Sequence, residues 1–309
     1  MSKFKVSVVV PVFNEEKNIE PLLKRLLPVL EKYTYEVIFV NDGSRDKTKK
    51  IIEDYCADNK EIKIISFYRN FGHQVALSCG YEHAVGDCVI SIDADLQDTP
   101  EIIDEMIQKW QDGAMIVYAK RAKRTGESFF KTSTANMFYR MINFLSDTPI
   151  PQEVGDFRLL DRKIVTFLND LPEQSRFLRG LVAWGGYPTD YVYFTRDKRH
   201  SGTTHYGISK MVNLALDGIT SFSTKPLRLA SYIGFISATL GFMGIIYAVF
   251  GRIFLPDYWV TGWTGLFVGI MFIGGVQLIT IGIIGEYISK IYKEVQRRPP
   301  YIIKDTRNI

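Results

Sequence analysis

The sequence predicts an α/β domain built on a mainly parallel sheet, with amphipathic interface helices and a C-terminal two-helix transmembrane hairpin. Three observations carry this. Apolar strands alternate with polar-faced helices through residue 120, each apolar run ends in a cluster of polar residues, and two long uncharged stretches lie after residue 228. Alternating strands and helices imply parallel pairing.

The first strand is "KVSVVVPVF", followed by the helical "EEKNIEPLLKRLLPVLEKY". The runs "YEVIFVNDGS", "IKIISFYRNFG", "DCVISIDAD" and "AMIVYAKR" supply the next strands. Open sheets of this type bind ligands at the carboxyl ends of their strands. Asp93 and Asp95 of "DAD" are therefore expected on a ligand rim, and an Asp-x-Asp pair on a sharp turn suits a hard divalent cation bound together with phosphates. Gln97 adds a neutral oxygen. Pro11, Asn14 and Glu15 of "PVFNEE" and Asp42 of "VNDGS" should converge with Asp93 along one crevice, where acidic and amide groups can hydrogen-bond a base and ribose.

Past residue 128, "SFFKTSTANMFYRMINFLSDTPIP" and "YGISKMVNLALDGITSFSTKP" read as helices. In the second, Ile208, Met211, Val212, Ala215 and Ile219 share one face. Such faces either pack on the sheet or lie in a membrane interface. Two uncharged stretches nearer the C-terminus favour the interface. Residues 229 to 250 carry no charge and as a helix would reach about 33 Å, enough for a hydrocarbon core of roughly 30 Å. A second uncharged stretch runs from Tyr258 to Gly285, with Gly262, Gly265, Gly269, Gly274 and Gly275 offering surfaces for close helix contact, within one chain or between copies in a homo-oligomer. Tyr258, Trp259 and Trp263 sit at belt positions. Lys225 and Arg228 precede the first span, and Lys290, Lys293, Arg297 and Arg298 come after the second, which puts both termini and the sheet domain on the cytoplasmic side of the membrane. The expected boundaries are 1–206 for the sheet domain, with an interface helix about 129–145; 207–226 for a juxtamembrane helix; 227–289 for the spans, about 229–250 and 260–285; and 290–309 for a basic tail, an extended strip against anionic headgroups or a solvated terminus.

Composition narrows the partners. The 309 residues carry 38 basic and 34 acidic side chains, a formal charge of +4, too mild a bias to call for a nucleic-acid partner. Cys56, Cys79 and Cys88 show no CxxC spacing and leave one over, so reduced thiols are expected rather than a disulfide framework or a zinc site.

The ordered set "PVFNE", "NDGS", "RNFGHQ", "DADLQDTPE", "GDFRLLDR", "FLRGLVAW" and "RHSGTTHYGISK", with a two-helix tail after it, resembles the inverting GT-A glycosyltransferases that load a sugar onto a polyprenyl phosphate. Bacterial bactoprenol (undecaprenyl-phosphate) glucosyltransferases are the nearer likeness, dolichyl-phosphate mannose synthases the more distant. The resemblance implies a nucleotide pocket at Pro11, Val12, Asn14, Glu15, Asp42, Asp93 and Ala94, and a Mg²⁺ or Mn²⁺ site at Asp95 and Gln97. It implies catalytic roles for Asp156, Arg121 and Arg199, the arginines facing the acceptor phosphate with their planar donor forks. Arg124, Lys131 and Lys210 are further candidates for that phosphate. This chain reads Thr204, His205, Tyr206 where such enzymes commonly read Ser-Lys-Tyr, and it lacks the Gln-x-x-Arg-Trp motif of processive synthases.

The implied reaction transfers a hexose from UDP-glucose or UDP-N-acetylglucosamine to undecaprenyl phosphate, with inversion. Asp156 matches a position often assigned as base, yet a phosphate monoester is already largely dianionic at neutral pH, its second ionisation lying near pH 6. Asp156 can instead orient a reactant. Two other readings remain open at this point: transfer to a neutral lipid alcohol, and a membrane-tethered nucleotide-binding scaffold without turnover.

Overall fold

The structure, a computed structural model, describes residues 4–121, 154–174, 176–195, 223–254 and 262–309. In chain order these form β1 (Lys5–Val12), α1 (Ile19–Leu30), β2 (Thr34–Asn41), α2 (Thr48–Asp58), β3 (Ile62–Phe67), α3 (His73–His83), β4 (Cys88–Ser91), α4 (Ile103–Gln111), β5 (Ile116–Arg121), β6 (Val154–Asp161), α5 (Arg162–Asp170), α6 (Leu178–Trp184), β7 (Thr189–Phe194), α7 (Lys225–Phe254), α8 (Trp263–Gln296) and β8 (Ile303–Arg307). Among the described residues the strands make one sheet in the order β7-β5-β6-β4-β1-β2-β3-β8.

The centre of the sheet is parallel, β4 with β1, β1 with β2 and β2 with β3. β6 runs antiparallel to both β4 and β5, while β5 and β7 are parallel. Helices cover both faces, which explains why β1 reads as a continuous apolar run rather than an alternation. Val6, Val8 and Val10 face the side packed by α1, α2 and α4. Val9 faces the other, with Ala76 and Leu77 of α3, Ile164 of α5 and Leu181 of α6. α3 lies directly on β1: a Cβ at Gly80 would stand 2.1 Å from Val9 Cγ1. All three cysteines are buried free thiols.

The tail departs from the sequence reading. Instead of a strip against headgroups or a solvated terminus, it returns to the sheet as β8, antiparallel to β3. Tyr301 stacks on Phe67 with ring centroids 4.9 Å apart, Lys49 Nζ reaches Asp305 Oδ2 at 2.7 Å, and Asn308 Nδ2 donates to the carbonyls of Cys56 and Ile62. Five residues with side chains split between two environments gave no apolar periodicity to read.

α7 and α8 are longer than the uncharged stretches they contain, and the limit set at residue 290 falls inside α8. Both are apolar around their circumference, and Phe235, Leu240, Phe242, Leu278 and Ile281 are exposed. Tyr287 of α8 donates to the Ser223 carbonyl at 2.7 Å, and Glu294 Oε2 accepts from Gln174 N at 2.8 Å, so the end of α8 touches the sheet domain. The helix expected over 129–145 and most of that over 207–226 lie outside the described residues; from Lys225 the chain is already α7.

Candidate active site

The ends of β1, β2 and β4 and the start of α3 surround a cavity of about 310 Å³. Its lining includes Pro11, Val12, Glu15, Asp42, Asp93, Ala94, Asp95 and Asp156 from the sequence reading, joined by Phe13, Asn70, Gly72, His73 and Arg179.

Asp42 leaves β2 and accepts from the backbone N–H groups of Phe71 (2.6 Å) and Gly72 (2.9 Å). These bonds fix the β3–α3 loop against the end of β2. The loops cross closely: Gly43 has φ +71°, and a Cβ there would lie 2.5 Å from the backbone carbon of Arg69. Burial pushes the Asp42 carboxyl above its usual value, only partly offset by the two N–H donors.

Asn14 does not line the cavity. With φ +57° it turns away, its Oδ1 accepting from Arg45 N at 2.8 Å and its N–H donating to Ser44 Oγ at 3.0 Å. It ties the loop after β1 to the loop after β2. Glu15, next along, has its N–H bound by Thr48 Oγ1 and its carboxylate by Asn18 Nδ2.

The turn expected at "DAD" is present. Leu96 sits at φ +60°, a conformation that costs a bulky residue on the order of 1 kcal/mol. It brings Gln97 N to Asp95 Oδ1 at 3.1 Å. The Gln97 side chain is not part of the lining, so its observed service is a backbone one: it holds the Asp95 carboxylate in place. Asp93 Oδ1 is buried with no hydrogen-bond donor, and burial pushes the Asp93 carboxyl upward, opposed by His73 and reinforced by Asp156 and Asp95. Among the described residues no three His, Cys, Asp or Glu side chains form a closed metal cage. Asp95, a hard oxygen donor held on the Leu96 turn by the Gln97 N–H, fits a divalent cation whose remaining positions are filled by phosphate oxygens, while Asp93 Oδ1 faces His73 Nε2 at 3.5 Å.

Asp156, on β6, forms the floor. Only 3% exposed, it accepts from Arg179 through Nε to Oδ1 (3.0 Å) and Nη2 to Oδ2 (2.7 Å). His73 Nε2 stands 3.2 Å from Oδ2 and Arg158 Nη2 3.7 Å from Oδ1. Burial pushes the Asp156 carboxyl up, but His73 and the two arginines win and hold it well below the usual carboxylate range. Burial pushes His73 down while Asp93, 3.5 Å away, and Asp156 raise it to about 9, so at neutral pH it is an imidazolium bridging two carboxylates. Beneath them Arg158 is fully buried, its Nε donating to Tyr81 OH at 3.4 Å, and Tyr81 OH donates to Ser91 Oγ at 3.0 Å. Ser91 Oγ in turn donates to the Asp156 carbonyl.

His73, Arg158 and Arg179 carry the charge balance of this floor, and sequence reasoning assigned none of them. The strings "RNFGHQ", "GDFRLLDR" and "FLRGLVAW" held the only signal: a basic side chain in a segment reaching the ligand rim. Of the expected acceptor residues, Arg121 closes β5 in register with Phe194 of β7, while Arg124, Lys131, Arg199 and Lys210 lie outside the described residues.

A doubly covered α/β sheet with a carboxylate-rich crevice at its parallel strand ends belongs to the class of α/β proteins that take ligands at the carboxyl ends of their strands. The family model of glycosyl transferase family 2 matches residues 7–167, which takes in β1 through most of α5, and the chain belongs to that family, with its GT-A type of fold. An uncharacterized glycosyltransferase of Synechocystis is 48% identical over 302 residues, covering 97% of this chain and 95% of that one. The bactoprenol glucosyl transferase of Shigella phage SfII is 45% identical over 302 residues, 97% of each chain. Among solved structures, glucosyl-3-phosphoglycerate synthase from Mycobacterium tuberculosis is 18% identical at a TM-score of 0.49, over 72% of this chain and 80% of that one.

Proposed function

We propose that this glycosyltransferase moves a hexose from a nucleotide-diphosphate sugar, UDP-glucose or UDP-N-acetylglucosamine, to undecaprenyl phosphate at the cytosolic membrane face, with inversion, giving a β-linked lipid-phosphate sugar. The carrying observation is the cavity at the strand ends, where Asp93 and Asp95 share a turn beside a cationic floor. Similarity across nearly the whole chain to enzymes named bactoprenol glucosyl transferases supports the lipid acceptor.

Transfer requires an acceptor oxygen behind the anomeric carbon and a stabilised leaving group, both tasks of position and charge. Asp42, Glu15 and Asp93 would hold the nucleoside end, with Pro11, Val12 and Ala94 supplying the backbone wall. Asp95 would hold Mg²⁺ or Mn²⁺, with the Gln97 N–H fixing its carboxylate. Such a cation offsets the charge developing on the departing diphosphate. An aspartate that already accepts from Arg179 and is held ionised makes a weak base. Since the acceptor is itself dianionic, Asp156 instead orients Arg179 and His73 at the reacting end. Arg121, Arg124, Lys131, Arg199 and Lys210 are assigned to the acceptor phosphate.

The lipid acceptor requires a membrane. α7 and α8, at 30 and 34 residues, extend about 45 and 51 Å at 1.5 Å per residue, and each contains a window apolar enough to cross. Because β8 pairs with β3, the chain after α8 lies on the same side as the sheet domain, which supports two crossings with the catalytic domain and both termini cytoplasmic.

The test is a radiolabelled sugar assay with purified full-length protein, crossing a set of nucleotide sugars with undecaprenyl phosphate and diacylglycerol. Product on undecaprenyl phosphate alone is expected; product on diacylglycerol alone, or none on either, overturns the reading.

A further inference from the structure

A second cavity, about 250 Å³, opens on the same rim at the β2, β3 and β8 end of the sheet. Its wall carries four cations from three separate parts of the chain: Arg45 and Lys49 after β2, Arg69 after β3, and Lys304 on the returning tail strand. Lys49 is neutralised by Asp305 at 2.7 Å and Glu53 at 3.5 Å. The other three have no carboxylate within ion-pair distance among the described residues. Arg69 makes only a 3.3 Å hydrogen bond to the Asn70 carbonyl and a 4.1 Å contact over the Phe71 ring. Like charges brought together around one concavity repel, and an anion there turns that repulsion into several charge-assisted hydrogen bonds. Two guanidinium forks and an ammonium lining one cavity from separate parts of the chain offer more donors than one carboxylate can use, and a phosphate group has the oxygens to accept from all three.

The cavity is not part of the active-site floor, yet it is not isolated from the first one. Phe13 and Asn70 line both. We infer that this second cavity is a phosphate-binding site. The phosphate can come free from solution or on a lipid headgroup, because Lys304 is on the strand that follows the membrane-spanning α8.

The experiment is calorimetric titration of inorganic phosphate, with chelator present, into full-length protein in phosphatidylcholine nanodiscs. A saturable site is expected in the wild type, weakened about tenfold or more by Arg45→Gln and by Lys304→Gln, the scale of one lost charge-assisted bond. Both side chains are exposed, so neither change disturbs the core. Lys24→Gln, which removes an exposed cation that lines neither cavity, should leave that affinity unchanged. Adding phosphatidylglycerol to the discs then separates the sources: a fall in apparent phosphate affinity in the wild type but not in Lys304→Gln supports the headgroup, and no change supports free phosphate. Absence of saturable binding, or binding retained at wild-type affinity in both the Arg45 and Lys304 variants, overturns the inference. This readout does not depend on sugar transfer, so it stands or falls apart from the acceptor assay.

Discussion

Arg179 grips Asp156 with two parallel hydrogen bonds, 3.0 Å and 2.7 Å, across the floor of the active-site cavity. A forked pair of this kind fixes both partners in orientation, and removing the arginine leaves a buried carboxylate short of donors. Arg179→Gln is expected to destabilise the sheet domain by about 3 kcal/mol, the scale for breaking a buried pair, visible as a lowered thermal midpoint. Arg179→Lys keeps the charge but not the fork; its transfer rate should fall on the order of a hundredfold through misplacement, with its thermal midpoint nearer the wild type. Asp156→Asn should abolish transfer while UDP binding, followed by calorimetry, persists. Near wild-type turnover in Asp156→Asn would remove it from the machinery.

Asp95 stands on the turn made by Leu96 and lines the cavity beside Asp93. If it holds a divalent cation, excess chelator should stop transfer and added Mg²⁺ or Mn²⁺ restore it. Asp95→Asn, which removes a charge but little volume, should need at least about tenfold more cation for half-maximal rate, one lost charge-assisted contact being worth roughly 1.5 kcal/mol or more. A cation dependence identical to the wild type would exclude Asp95 as the ligand.

At the opposite end of the sheet Glu36 is fully buried between Lys5 Nζ (3.1 Å) and Lys63 Nζ (2.9 Å). Burial pushes its carboxyl up, but the Ser7 hydroxyl, the Val85 N–H, Lys63 and Lys5 more than offset this, leaving it below its ordinary value of 4.5. The folded chain therefore binds this proton less readily than the unfolded chain. The resulting stability is complete above the ordinary value and fades as pH falls through the folded one. The gap in thermal midpoint between wild type and Glu36→Gln should be widest near neutrality and narrow below about pH 4.5. A gap that stays constant with acidification would assign the effect to packing alone.

The parallel centre of the sheet was legible because burial on both faces leaves unbroken apolar runs such as that of β1, and the rim residues were legible because each run stops at polar side chains. Side-chain direction was not. Asn14 and Gln97 sit among lining residues in sequence, yet a left-handed φ at Asn14 and Leu96 redirects the chain, and no residue type announces that choice. His73, Arg158 and Arg179 escaped assignment for a different reason. Their importance lies in pairing with Asp156, which is 23 residues from Arg179 along the chain and much farther from His73, separations that only the folded sheet closes. β8 was missed because an edge strand with one wet face and Lys304, Asp305 and Arg307 along it reads as a solvated tail.

That edge strand carries the last expectation. β8 covers the hydrogen-bonding edge of β3, and the Tyr301 ring stacks on Phe67 while its hydroxyl donates to Glu82. An uncovered edge strand is a template for pairing with other chains. Tyr301→Ala should cost about 1 kcal/mol beyond the lost burial, the worth of an aromatic pair. Truncation before Tyr301 should do more: it bares the edge of β3, so the detergent-solubilised protein should show a lower thermal midpoint and a growing aggregate fraction by size-exclusion chromatography. A truncated protein that stays monodisperse at the wild-type midpoint would show that β8 contributes neither stability nor edge protection.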